Sequence, residues 1–208
     1  MLVHPYLPFL PESNVELGEE LSKCSAVLRR AFIESLYAVI YSLTAEPALA
    51  TAGSTKASLG LLTEWETEPG ARSTTASLVH LRTLLLLAVE ADTHGPGSLK
   101  GQQGGPSKTA LLARAVIVAH EMGLPQTQLG LTDNAEANID ATGASGLRAW
   151  YSLIALDRWN AIGTGERLLI PEDSVVFAVG GLKSLLGEGA YQFLGMSYSS
   201  ARLPREPS

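Results

Sequence analysis

Residues 146–176 read GLRAWYSLIALDRWNAIGTGERLLIPEDSVV, and this stretch decides the fold class. It opens as an amphipathic helix, breaks at a Gly-Thr-Gly turn and leaves as an extended Ile-Pro-Glu-Asp segment. Leu147, Trp150, Tyr151, Ile154 and Arg158 recur at three- and four-residue spacing, so one helix face carries two large aromatics, and Trp159 and Ile162 extend it. Ser145 is placed to act as N-cap, its side-chain oxygen accepting from a free backbone N–H. Gly163 and Gly165 permit the positive φ angles that end a helix. Pro171 keeps Ile170 out of the α region, so the chain runs on extended.

The same periodicity recurs on the N-terminal side. Leu21, Cys24, Leu28, Ala31, Phe32, Leu36, Val39, Ile40 and Leu43 predict one long helix over 15–44, closed by Pro47. A short helix is expected over 56–65. A second long helix spans 76–92, with Leu78, Leu81, Leu84, Leu85 and Ala88 on one face; it is apolar on most sides and therefore central. A third spans 107–122, capped by Ser107 and stopped by Gly123 and Pro125. The fourth is the 145–162 helix. Leu182 to Leu194 reads as a short helix interrupted by Gly187 and Gly189, and Ser174 to Val179 as the one short strand. Residues 94–107 form a Gly/Pro loop, and the small polar residues of 126–144 a mobile surface loop. The expected organisation is an extended arm over 1–14, a helical domain over 15–196 and a disordered tail over 197–208. The sum is an all-α multi-helix bundle.

Composition bounds the function. Of 208 residues, 46% are hydrophobic and 17% charged, enough apolar surface for a core and too much for a disordered chain. Fifteen Lys and Arg against 21 Asp and Glu leave a net charge of −6. Phosphate contacts need clustered cations, so this chain is not expected to bind DNA itself; Arg29-Arg30 reads as a solvated face. Cys24 is the one cysteine, which rules out an internal disulfide and fits a reducing compartment; on the apolar stripe it reads as a small core residue. The first ten residues are broken by Pro5 and Pro8 and carry no basic run, unlike a secretory signal. The longest apolar run, Leu84 to Val89, is far short of the roughly 20 residues of a bilayer span, so no membrane association is expected.

The 146–176 stretch resembles the RRxWWxLfxLDRW…GRPllIpdeD signature of the middle homology region, the regulatory domain of the fungal zinc-cluster transcription factors. Arg148, Trp150, Tyr151, Leu153, Leu156, Asp157, Arg158, Trp159, Gly165, Leu168, Leu169, Ile170, Pro171, Glu172 and Asp173 carry the match. Glu166 and Arg167 stand where the family has Arg-Pro. Leu81 to Gly95 resembles the family's Leu-rich helix, Ala110 to Leu124 its helix ending in Gly-Leu, and His4 to Phe9 its opening. The resemblance thus covers roughly residues 4–176 in order. The Glu90-to-Pro96 run and its Gly-rich continuation are similar to the branch that regulates glucose transporters. The resemblance implies a nuclear, non-catalytic regulatory domain that acts on RNA polymerase II transcription. It implies DNA binding only through a zinc-cluster module needing six cysteines, so zinc is expected there and no cofactor in this chain. A small-molecule effector, a co-regulator protein and a homodimer are the implied partners. Family domains continue past the Ile-Pro-Glu-Asp segment, so this one is expected to be short at its C-terminal end.

Other chemistries fail on spacing. Gly101 to Thr109 lacks the glycines of a phosphate loop, which leaves an interhelical loop. His120-Glu121 lacks the second histidine of a zinc-protease helix, since Leu124 stands there. Gly143 to Gly146 lacks the spacing of a nucleophile elbow. Glu90 and His94 share a helix face but Asp92 does not, so the set reads as surface. A helical enzyme or ligand carrier built on Glu90, His94 and His120 stays open as an alternative, as does a dimerisation scaffold. Arg148, Trp150, Tyr151, Asp157, Arg158 and Trp159 are the candidate residues, read first as structural and second as the wall of an effector pocket. Arg148, Arg114 and Glu90 are the expected partners of the Asp157–Arg158 charges.

Overall fold

The computed structural model describes residues 8–11, 13–44, 54–93, 106–130 and 140–201. The described residues form α-helices and 3-10 turns with no strand: α1 (Asn14–Ser22), α2 (Ala26–Thr44), α3 (Thr55–Thr67), α4 (Thr74–Thr93), α5 (Lys108–Glu121), α6 (Leu124–Thr127), α7 (Ala141–Thr164), α8 (Val179–Leu186) and α9 (Glu188–Ala201). The fold is all-α, as the periodicity predicts. Segment 174–179 is not a strand; its first residue ends the 3-10 turn Glu172–Ser174 and its last begins α8. The chain clusters into two compact units, Glu12–Val118 and Ala119–Ser208 with Met1–Pro11.

In the Glu12–Val118 unit, α2 packs on both α3 and α4, and α1 packs on α4. The single helix expected over 15–44 is two. Ser25 breaks it, its Oγ accepting from the Leu28 N–H at 3.3 Å to start α2. Ser54, Ser73 and Ser107 start α3, α4 and α5 in the same way, each accepting from the amide three residues on. Helices α2 and α3 approach closely at small residues, where buried Ser58 Oγ donates to Ala31 O at 2.8 Å. From Leu78 to Val89 every residue of α4 is buried. The window Thr74–Ala91 is long and apolar enough to suit a membrane span by composition, but 72% of it is buried inside the protein, as in a core helix.

Two buried arginines need counter-charges, and α4 supplies one of the settings. Arg82, wholly buried, donates to the Glu20 carboxylate of α1. On α3, Glu66 Oε1 accepts from Arg114 Nη2 at 2.6 Å and lies 2.9 Å from His80 Nε2. The His80 and Arg114 contacts together hold the Glu66 carboxyl down at about 2, against the opposing effect of burial. Trp65 meets the His80 ring edge-on at 4.8 Å, and Arg72 lies over the Trp65 ring at 4.4 Å.

In the second unit, Asp140 caps α7 by accepting from Gly143 N at 2.9 Å, so the helix starts five residues before the expected Ser145 cap. Ser145 is instead a buried residue inside α7. Gly146 follows because α6 passes close by; a Cβ there would stand 2.9 Å from Leu124 Cδ2. Gly163 stays helical, and Gly165 alone takes the left-handed conformation (φ 74°), its N–H closing on Ala161 O at 2.9 Å. The surface loop expected over 126–144 is in part structured: 124–130 are helical turns, 141–144 belong to α7, and 131–139 lie outside the described residues. Helix α9 runs through 197–201, where a disordered tail was expected, and Ser197 is fully buried. Of the expected arm, 8–11 and 13–14 are described; Phe9 and Leu10 are buried, and Ser13 and Asn14 belong to the start of α1. Pro47, His94 and the 95–105 loop lie outside the described residues.

Candidate functional site

Helix α7 is buried on nearly all sides from Ser145 to Asn160, so any polar group on it must find a partner within the fold. Asp157 finds backbone. After the Gly165 turn the chain folds back, and the Asp157 carboxylate accepts from Ile170 N at 2.9 Å and from Leu169 N at 3.0 and 3.1 Å. The Asp157 side chain therefore ties the helix to the extension that follows it. Burial pushes the Asp157 carboxyl above its ordinary value, and the two amides and Arg158 only partly counter it.

Gln128 performs the second join, and sequence reasoning missed it. It is buried in the 3-10 turn Gln128–Gly130. Its Oε1 accepts from Trp150 Nε1 at 3.1 Å and from Val176 N at 3.2 Å, and its Nε2 donates to Ser174 O at 2.7 Å. The Tyr151 hydroxyl donates to Val176 O at 2.7 Å beside it. Burial raises the phenol pKa, so it stays a donor. Trp150 and Tyr151 are thus oriented by hydrogen bonds at their polar ends while their rings fill the core. A lone glutamine in a small polar stretch has no periodic signal that could have marked it.

Arg158 is the exception. It is fully buried, its guanidinium carbon lies 3.8 Å from the centre of the Tyr198 ring, and none of its three nitrogens hydrogen-bonds to a described residue. Burial pulls its pKa below the ordinary arginine value, against the fields of Tyr198, Glu172 and Asp157. Trp159 stacks on Phe193 of α9 at 5.4 Å. Arg148 donates from Nε to Leu185 O at 3.1 Å, capping the last turn of α8. All six candidate residues lie on α7, and their contacts run to the 169–170 segment, to Gln128 and Val176, to α8 and to α9.

The residues of the alternative reading do not assemble. Glu90 lies near the end of α4, and His94 falls outside the described residues. His120 is exposed at the end of α5, edge-on to the Trp150 ring at 6.1 Å. Among the described residues no three His, Cys, Asp or Glu side chains are placed to hold a metal ion.

The chain is similar to a transcriptional regulatory protein. Over 203 residues it is 32% identical to a protein of Schizosaccharomyces pombe described as an uncharacterized transcriptional regulatory protein. The match takes in 95% of this chain, which spans 22% of that protein's length. No protein-family profile matches the chain, and no solved structure is significantly similar to it.

Proposed function

We propose that this chain is an effector-responsive regulatory domain of a fungal transcription factor, the middle homology region of the zinc-cluster type. It is non-catalytic and nuclear, and reaches DNA only through a zinc-cluster module elsewhere in the protein. The similarity to a yeast transcriptional regulatory protein across nearly the whole chain supports the role in transcription. The observation that carries the finer reading is the Asp157 join. The Leu-Asp-Arg-Trp and Ile-Pro-Glu-Asp elements that carry the resemblance form one hydrogen-bonded unit. Regulation then needs two conformations that an effector or co-regulator binds unequally. Fusing the chain to an unrelated DNA-binding module in front of a reporter tests this. Reporter output several-fold different from that of the DNA-binding module alone is expected, with the difference lost in Asp157→Ala. Output equal to that of the module alone would sink the reading.

A second reading, self-association, has one observation behind it. Ile33, Tyr37 and Tyr41 follow one another at four-residue spacing along α2, and each is more than a third exposed. Light scattering on the chain and on Tyr37→Glu decides it, since a dimer formed on this face becomes a monomer in the variant.

A further inference from the structure

Several polar groups of α7 reach main chain of the segments beside it. Asp157 takes two amides of 169–170, Tyr151 donates to Val176 O, and Arg148 donates to Leu185 O. The polar groups against α9 are different. Ser152 lines the seam with Ala190 and Leu194, the Arg158 guanidinium lies on the Tyr198 ring, and the Trp159 indole stacks on Phe193. Ser152 Oγ, all three Arg158 nitrogens and Trp159 Nε1 are buried with no hydrogen-bond partner among the described residues. Glu172 and Asp157 favour the Arg158 charge, yet burial outweighs them and pulls its pKa below the ordinary value. Each such group, shut off from water without a partner, weighs against the docking of α9, and the charged one most.

The attachment of α9 is correspondingly light. Ala190, Leu194 and Ser197, at steps of four and three, are its buried residues among those described, a stripe with one large apolar side chain. Gly189 and Gly195 sit within the helix, where glycine lowers helix stability relative to alanine. Gly187, between α8 and α9, takes φ 78°, and a Cβ placed there would meet nothing within 4 Å, so the joint has room to turn. Before the joint, α8 is held: Arg148 bonds to Leu185 O, and Leu182 and Leu186 are buried. The Lys183–Glu188 pair spans the joint at 2.6 Å, but both side chains are more than half exposed, and such pairs contribute little.

We infer that α9 is a detachable strap: it swings about Gly187 off α7 while α8 stays in place, and the undocked form is the second conformation of the domain. This rests on the effector-responsive reading, which requires a second conformation, and names the element that moves. Undocking uncovers Ser152, Ala155, Arg158 and Trp159, so water reaches the unmatched groups and a mixed apolar and cationic face of α7 is presented. Loss of the Leu194 and Phe193 contacts opposes that gain, so the two forms lie close enough for binding to shift the balance between them.

Hydrogen exchange of the full chain, read by mass spectrometry, tests it. Peptides over 188–196 are expected to exchange about tenfold faster than those over 179–186 across the joint. Arg158→Met keeps an unbranched chain under Tyr198 without the charge or the donors, and is expected to slow α9 exchange about fivefold while leaving α2 and α4 unchanged. Should Arg158→Met not fold, Ser152→Ala removes one unmatched hydroxyl from the seam and is expected to slow α9 about twofold. In the reporter fusion, Arg158→Met tightens the strap and Leu194→Ala loosens it, so the two are expected to move output in opposite directions. Exchange of α9 no faster than that of α8, no slowing in either seam variant, or output moved the same way by both substitutions would each overturn the inference. A wild-type fusion that alters reporter output while α9 exchanges no faster than α8 separates the two readings: the strap fails and the role in transcription stands.

Discussion

Arg82 of α4 and Arg158 of α7 are both fully buried, and they belong to different units of the chain. Arg82 meets the carboxylate of Glu20, two turns from the start of α1, so its charge pins one helix to another. Arg158 meets the face of Tyr198 and no described carboxylate. The contrast extends to the acids. Glu66 sits between Arg114 and His80, whereas Asp157 takes its hydrogen bonds from backbone amides. The Glu12–Val118 unit uses charge to fix helices against each other. The Ala119–Ser208 unit uses polar side chains to fix non-helical chain against a helix, and leaves one charge in hand.

The comparison breaks most visibly if Glu20→Ala is mild. Removing one partner of a buried pair costs about 3–5 kcal/mol, so a loss near 3 kcal/mol in urea unfolding is expected. Asp157→Ala comes next, at about 2–4 kcal/mol, because two amides lose their acceptor at about 1–3 kcal/mol each. Faster hydrogen exchange at Leu169 and Ile170 should accompany it, and Asp157→Asn should cost about half as much. Gln128→Leu should cost about 2 kcal/mol, since the Trp150 and Val176 N–H groups and Ser174 O all lose a partner. Arg158→Met should carry the opposite sign, a gain of about 1 kcal/mol; a loss comparable to that of Glu20→Ala would make the two arginines equivalent and end the comparison.

The smallest effect is in the pH dependence, and it sharpens the contrast between the two acids. The Glu66 carboxyl is held at about 2 in the fold, below its value in an unfolded chain. Its contribution is therefore complete above about pH 4.5 and is lost as the pH falls toward 2, about 1 kcal/mol after allowance for solvent screening. Asp157 has the opposite sign. Its folded pKa is raised, so its buried charge weighs against folding at neutral pH, and acid relieves that cost. Glu66→Gln should flatten the fall in stability below pH 4.5, and Asp157→Asn should steepen it.

Helix existence was legible in the sequence because burial imposes a period. Helices α3, α4 and α5 start within two residues of their predicted positions. Boundaries failed where the period ran on through a break. Leu21, Cys24 and Leu28 keep phase across the α1–α2 junction, so the Ser25 cap was hidden inside an unbroken stripe. Asp140 was missed because Ser145 offered an equally good cap nearer the aromatic face. The candidate residues on α7 were visible as aromatic and charged positions, but their partners were not. Gln128, Leu169, Ile170, Ser174, Val176 and Tyr198 are between 12 and 48 residues away in sequence from the groups they meet, and Leu169, Ile170, Ser174 and Val176 are met at their main chain, which carries no residue-type signal.

The break between α1 and α2 also makes the chain its own stopwatch. Cys24, the one cysteine in 208 residues, is buried at that break with its Sγ 3.4 Å from Glu20 O. Burial, with Glu20 next, raises its pKa, so neither the shielded sulfur nor its small thiolate fraction offers itself to an alkylating reagent. Alkylation has to wait until the junction opens. Its rate, read by intact mass with no engineered label, therefore times the opening of the helix that carries the Arg82 counter-charge.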